Sequence, residues 1–179
     1  MKTAVTFSVL CLCLACASSK PKSTTGQLEA LKTCIANKQF TIESTWAYPQ
    51  VTSAVSQVLN TQLLAPGNNA SAISLIGNAN YLTVKGDSVS SYLPYYGERQ
   101  MATGYGALND TAIQLNGIMQ NFTVNTHKNK SKSLRFKALG NNEVFNVTIT
   151  IFPDLSTQTT ITSAYRRAIQ YAGKVQTSN

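Results

Sequence analysis

The sequence predicts an α+β domain in which an N-terminal helix packs on a curled antiparallel β-sheet of about seven strands. Three observations lead to this prediction. Short segments of alternating apolar and polar residues recur between residues 40 and 175, separated by Gly, Asn, Asp or Pro. One segment with helical spacing precedes them. Only 12% of the residues are charged, so Ser, Thr, Asn and Gln supply most of the polarity, as is typical of strands and turns.

Residues 1–17 have the layout of a secretory signal peptide. Lys2 is followed by an apolar run from Ala4 to Leu14 and then by small residues. The run is too short to span a bilayer as a helix. We therefore expect an exported protein.

Two processing sites compete at the end of this signal. Ala15, Cys16 and Ala17 form an A-x-A triplet that suits cleavage before Ser18, which would give a soluble protein. The four residues that end at Cys16 resemble a lipobox, although Cys13 stands where Leu is typical. We favour lipidation of Cys16, because residues 18–23 form a polar linker that could act as a membrane tether. The domain then spans residues 24–175, and residues 176–179 form a tail.

The helix is predicted from its N-terminal cap and its apolar stripe. Thr24 and Gln27 have the spacing of a capping box, and Leu28, Leu31 and Ile35 mark one face. Cys34, beside that face, is expected to be a small buried residue rather than half of a disulfide.

The first strand shows a change of period from 3.6 to 2. Phe40, Ile42, Trp46 and Tyr48 alternate with more polar residues, and Pro49 ends the segment. This alternation predicts that Trp46 is mostly buried on the face of Phe40 and Ile42.

The remaining segments are read from the same signals. Residues 51–64 fit both a helical stripe and a strand, and we favour the helix. Residues 66–69 are predicted to form a turn that ends this segment, and residues 97–106 are predicted to form a loop. The further predicted strands are 81–84, 88–95, 112–115, 122–125, 134–138, 144–152, 157–163 and 168–175.

Several segments together resemble one bacterial family. Residues 80–97 contain the pieces Val-Lys-Gly-Asp-Ser-Val and Tyr-Leu-Pro-Tyr-Tyr-Gly, which are similar to the signature hairpin of the family called domain of unknown function 4251. The aromatic strand through Tyr48, the alternating strand 144–152 and the ending 163–173 are also similar. The resemblance implies a small exported or lipid-anchored protein of Gram-negative bacteria, so we expect it in the periplasm or the outer membrane. It implies no activity, cofactor or catalytic residue.

The sequence predicts no catalytic, cofactor or metal site. His127 is the one histidine, and it lies among lysines in a predicted turn, so we expect a turn residue rather than a catalytic base. One histidine and Cys34 do not make a zinc site. Asp87 and Asp154 fall in predicted turns, where acids usually bond the local backbone.

The densest charge lies in one predicted turn. Lys128, Lys130 and Lys132, followed by Arg135 and Lys137, could contact an anionic lipid surface, a cell-wall polymer or an acidic partner. A solvated hairpin tip that deters edge pairing is the plainer interpretation, and we favour it. No aromatic residues alternate with these cations, so nucleic acid is not expected.

Four tyrosines form the other candidate surface. Tyr92, Tyr95, Tyr96 and Tyr105 could line a carbohydrate or peptide groove. Alternatively, Tyr92 and Tyr96 share one face of the strand with Pro94 and cover the core, which we favour. The predicted function is a non-catalytic binding or structural protein of the cell envelope with an unidentified partner. The alternatives are a hydrolase or transferase with an unrecognised site, and an inhibitor or chaperone-like module that adds a strand from its partner.

Overall fold

A computed structural model describes residues 23–59, 67–100, 111–140 and 142–176. In these ranges the protein is mainly β, with an eleven-stranded antiparallel sheet and two short helices. The antiparallel sheet and the N-terminal helix are confirmed. The prediction of about seven strands is wrong. Because the helices are short, the fold is mainly β rather than α+β.

The elements follow the chain in a simple order. The helices are α1 (Thr25–Ala36) and α2 (Ser53–Leu59). The strands are β1 (Gln39–Pro49), β2 (Ile73–Ser74), β3 (Tyr81–Lys85), β4 (Ser88–Pro94), β5 (Ala112–Ile113), β6 (Asn116–Ile118), β7 (Gln120–Thr126), β8 (Lys132–Gly140), β9 (Glu143–Ile151), β10 (Ser156–Ser163) and β11 (Ile169–Gln176).

The sheet curls, although it does not close. Its order is β5-β4-β3-β1-β11-β10-β9-β8-β7, with β2 paired to β1 and β6 paired to β4. Because β6 pairs with β4 and the next strand, β7, pairs with β8, residues 116–126 bring the two ends of the sheet near each other. The inner face of this curl is the core.

Helix α1 begins where the capping box predicts. The Thr24 side chain accepts a hydrogen bond from the Gln27 N–H, and the Gln27 side chain accepts one from the Thr24 N–H. Leu31 is 1% exposed and belongs to the core. Cys34 is only partly buried against that core, and burial raises the pKa of its thiol. The expected helix in residues 51–64 is confirmed as α2, while residues 60–66 lie outside the described ranges.

Strand β1 carries a bulge that reverses its faces. The pairing with β11 shifts between Ser44 and Trp46, so burial passes from Phe40, Ile42 and Ser44 to Ala47 and Pro49. The prediction for Trp46 is therefore wrong, because the extra residue turns it to the outer face, where it is half-buried.

The remaining long strands follow their alternation. In β9, Val147, Ile149 and Ile151 face the core as expected. Tyr171 of β11 is fully buried on the inner face, and its hydroxyl donates to the Pro94 carbonyl 2.9 Å away on β4. The additional strands β2 and β6 have two or three residues, too few to show an alternating pattern.

The bulge in β1 requires a glycine opposite it. A Cβ atom at Gly173 would lie 2.1 Å from the Glu43 carbonyl oxygen and 2.7 Å from Ser44 Cα. We expect Gly173→Ala to lower the free energy of unfolding by about 1–3 kcal/mol, because backbone atoms must move. Urea unfolding measures this. Gly26→Ala is the control: nothing lies within 4 Å of that Cβ position in α1, and alanine there should stabilise by about 0.5–1 kcal/mol. Equal effects at both positions would contradict the close approach.

Candidate functional site: a basic ribbon and a buried polar corner

Strands β7 and β8 and their turn form the first candidate site, which we call the basic ribbon. The turn is closed by the His127 N–H, which donates to the Ser131 carbonyl, and by the Lys130 N–H, which donates to the His127 carbonyl, both at 2.9 Å. Lys130 has a φ of 66°, and Asn129 accepts hydrogen bonds from Ser131. The cations of the ribbon are Lys128, Lys130, Lys132, Arg135 and Lys137.

No acid among the described residues pairs with the positive charges of the basic ribbon. None of its five cations forms an ion pair with a carboxylate in the described part of the chain. Lys132 donates instead to the Thr126 hydroxyl at 2.7 Å. Four described carboxylates pair with cations elsewhere: Glu29 with Lys32, Asp87 with Lys38, Glu98 with Arg167 and Glu143 with Arg166. The structure thus brings the three predicted lysines together with Arg135 and Lys137 on one ribbon.

A histidine and a serine meet at the base of this turn. His127 Nε2 lies 2.8 Å from Ser133 Oγ, which lies 3.1 Å from Thr150 Oγ1 on β9. Ser133 is buried, and its hydroxyl links two neighbouring side chains. The arrangement joins the turn, β8 and β9 by hydrogen bonds, so His127 has a structural partner as well as a turn position.

The four tyrosines do not form one surface. Tyr92 is 41% exposed on the outer face and is paired with the exposed Tyr81 on β3, so the expectation that Tyr92 covers the core is wrong. Tyr96 packs against the core, as expected, and Tyr95 does so as well. Burial raises the pKa of both hydroxyls, that of Tyr95 to about 12. Tyr105 lies outside the described residues.

A buried ion pair forms a polar corner at the opposite end of β8 and β9 from the turn. Arg166 Nε lies 2.5 Å from Glu143 Oε1, and both side chains are only 2% exposed. Ser163 donates to the other carboxylate oxygen at 2.7 Å. The guanidinium stands over the rings of Tyr95 and Phe145, at 5.1 and 5.8 Å from their centroids.

The segment after β4 completes the polar corner. The Tyr95 hydroxyl lies 2.9 Å from the carbonyls of Glu98 and Arg167 and can donate to one at a time. Glu98 accepts from the backbone N–H and the hydroxyl of Thr52, both at 2.6 Å. These hydrogen bonds, with the Arg167 guanidinium at 3.1 Å, hold the pKa of Glu98 below its usual range.

Sequence reasoning missed the ion pair of the polar corner. Glu143 and Arg166 are 23 residues apart on different sides of β10, and neither has a spacing that predicts a partner. The sequence offers one indication: Glu143 is a charged residue on the strand face that continues with the apolar residues Phe145 and Val147.

A shallow groove crosses the outer face of β1, β10 and β11. It encloses about 690 Å³ and is lined by Tyr48, Gln158, Gln170, Glu43 and Lys174, among others. In the described ranges, no three His, Cys, Asp or Glu residues come together as metal ligands. None of the described helices is long and apolar enough to cross a membrane.

Comparison with known proteins agrees with this fold. A family model described as "Domain of unknown function (DUF4251)" matches residues 22–175. The chain belongs to this family. A crystal structure of a DUF4251 family protein from Bacteroides eggerthii DSM 20697 is similar, with 14% sequence identity and a TM-score of 0.55. The match covers 84% of this chain and 87% of that one, and shows a shared fold. No curated protein matches the chain. The resemblance to DUF4251 noted in the sequence is thereby confirmed.

The ion pair of the polar corner should be costly to break from one side. We expect Arg166→Met to lower the free energy of unfolding by about 3–5 kcal/mol, because Glu143 would remain buried without its cation. The double variant Glu143→Leu with Arg166→Met should recover most of this loss, since neither charge is then left buried. Urea unfolding measures both.

The exposed pair of Lys32 and Glu29 provides the control for this prediction. Lys32→Met should change the unfolding free energy by less than about 1 kcal/mol, because both side chains are solvated. A double variant at the polar corner that is no more stable than Arg166→Met alone would contradict the proposed coupling.

Proposed function

We propose that this DUF4251 protein is exported and acts in the cell envelope of a Gram-negative bacterium by binding, without catalysis. Its contact surface in this proposal is the basic ribbon, which meets an anionic membrane surface. The observation that carries the proposal is the group of five cations on two adjacent strands with no ion-pairing carboxylate in the described residues. Such a surface attracts anionic lipid headgroups and remains hydrated when nothing is bound.

The arrangement of the cations suits a broad surface better than a small ligand. Lys128 and Lys130 are exposed in the turn, and Arg135 and Lys137 project from the outer face of β8 at alternate positions. Successive outward side chains on a strand are about 7 Å apart. The cations therefore extend along the ribbon instead of converging on one pocket.

Several described groups that could carry chemistry already have structural partners, which supports binding over catalysis. Ser133 bonds His127 and Thr150, and Glu143 and Arg166 are closed off inside the polar corner. Glu98 is held by Thr52 and Arg167. A hydrolase or transferase would need a nucleophile or acid that faces a cleft.

Export and anchoring complete the proposal. The signal-like residues 1–17 and the lipobox-like sequence ending at Cys16 support a lipid anchor. An anchor at this end would hold the domain beside the membrane, where weak electrostatic contacts are strengthened by high local concentration.

The charge of the basic ribbon can be tested on lipid vesicles. We expect the processed chain without a lipid to bind anionic vesicles at low salt, and binding to weaken as salt is added. Replacing Lys128, Lys130 and Lys132 by Gln should weaken partitioning about a hundredfold, since each lysine contributes about 1 kcal/mol near an anionic surface. Thermal stability should remain nearly unchanged, because these side chains are solvated. Vesicle co-sedimentation measures the binding.

The matched control replaces three lysines elsewhere. Lys32, Lys85 and Lys174 changed together to Gln remove the same net charge and leave the basic ribbon intact. Equal loss in both triple variants would show attraction by overall charge alone, against a defined contact surface. Equal binding to neutral and anionic vesicles, or to neither, would also contradict the proposal.

The anchor can be tested separately in cells. If Cys16 is lipidated, the wild-type protein should fractionate with membranes and carry an acyl mass at its first residue. Cys16→Ala should release it, or should expose the cut before Ser18. A wild-type protein that begins at Ser18 without an acyl group would refute lipidation while leaving export intact.

A further inference from the structure

Strand β7 is a free edge of the sheet. It is the last strand in the hydrogen-bonded order, and β8 is its one ladder partner among the described strands. Alternate residues of an antiparallel strand direct their N–H and C=O groups away from the neighbour. The seven residues of β7 thus present an unpaired backbone edge about 23 Å long.

This edge lacks the usual protection against pairing. Natural edge strands commonly carry a charged residue or a proline, or are very short. The sequence of β7, QNFTVNT, has no charged residue and no proline. A bulge with Asn121 at a φ of 53° disturbs only its beginning, and the pairing is regular from Thr123 to Thr126.

One face of β7 is also incompletely covered. Val124 is paired with Leu134, which is buried, so both side chains point to the inner face. Val124 is nevertheless 39% exposed, because nothing in the described ranges pairs with the far side of β7. Phe122, stacked on Phe136 at 6.4 Å between ring centroids, lies partly buried on the same face. A further strand would cover these apolar groups.

The charge beside the edge favours one kind of occupant. The cations of the basic ribbon lie in the turn after β7 and on β8, one strand away. A second copy pairing through β7 would bring two such ribbons together, and like charges would repel. An extended segment with acidic side chains on its outer face would be attracted instead.

We propose that β7 accepts an extended segment of a partner protein as an added strand, and that this segment alternates apolar and acidic residues. Its backbone completes the ladder, its apolar side chains cover Phe122 and Val124, and its acidic side chains face Arg135 and the turn lysines. The inference rests on the proposed binding function only for the sign of the partner's charge.

The test uses the processed chain and labelled synthetic peptides. The probe is a peptide that alternates Val and Glu; one comparison peptide replaces Glu by Lys, and another places Pro at every second position. Fluorescence anisotropy measures binding, and hydrogen exchange follows the β7 amides. We expect only the Val/Glu peptide to bind and to slow exchange at alternate β7 amides, since a Pro-containing strand lacks the necessary donors.

Two matched variants locate the contact. Val124→Glu places a carboxylate on the edge and should weaken binding of the Val/Glu peptide about tenfold or more. Val144→Glu makes the same change at a side chain that is 53% exposed on β9, away from the edge, and should have little effect. Val124→Thr keeps the β-branched shape and should retain peptide binding, which would assign the loss in Val124→Glu to the charge. Circular dichroism checks that each variant is folded.

Four results would overturn the inference. The first is no binding of the Val/Glu peptide, and the second is an equal loss of peptide binding with Val124→Glu and Val144→Glu. The third is slow hydrogen exchange at the β7 amides in the free monomer, and the fourth is a dimer of this chain that Val124→Glu dissociates. The last two would assign the edge to this chain itself or to a second copy. Val124→Glu should leave the salt-dependent part of vesicle binding in place, so failure of strand addition and failure of membrane contact are distinguishable.

Discussion

The buried ion pair of Glu143 and Arg166 is the constraint on which the arrangement of the sheet ends depends. Two charges with 2% exposure need closely placed partners, because desolvation costs several kcal/mol for each ion. That requirement fixes the connection between β10 and β11 against the start of β9. Ser163, which donates to the carboxylate, also accepts hydrogen bonds from the N–H groups of Tyr165 and Arg166, so the connection is held in one conformation.

Arg166 and its neighbours also hold the segment after β4 in place. The Arg166 guanidinium covers the Tyr95 ring, and the backbone N–H groups of Arg167 and Gln100 donate to carbonyls across the two segments. The polar corner therefore seals the end of the core where β4, β9 and β11 meet. The turn end of the sheet is different: its polar groups are solvated cations, and its last strand has no second partner among the described strands. The buried ion pair and the proposed binding surface therefore lie at opposite ends of β8 and β9.

How much the sequence could predict depended on the range of each interaction. The capping box at Thr24 and the alternation in β9 are local, and both were predicted correctly. The bulge in β1 depends on Gly173, more than 100 positions away, whose missing side chain lets the two backbones approach. The alternation of apolar residues in β1 is therefore present, but the bulge changes which face Trp46 occupies, and the prediction of its burial was wrong. Glu143 and Arg166 likewise meet only because β10 turns the chain back, and no local spacing encodes that contact.

Lys38 links three elements that the sequence separates. It lies just after α1 and has a φ of 47°. Its carbonyl accepts a hydrogen bond from the Gly86 N–H, and its ammonium group pairs with Asp87 at 2.6 Å. The same ammonium group lies 4.9 Å from the centre of the Phe122 ring on β7. Helix α1, the β3–β4 turn and the edge strand are thus connected through one side chain. Local opening of any one of them breaks a contact that Lys38 makes, so we expect the local unfolding of the three elements to be coupled.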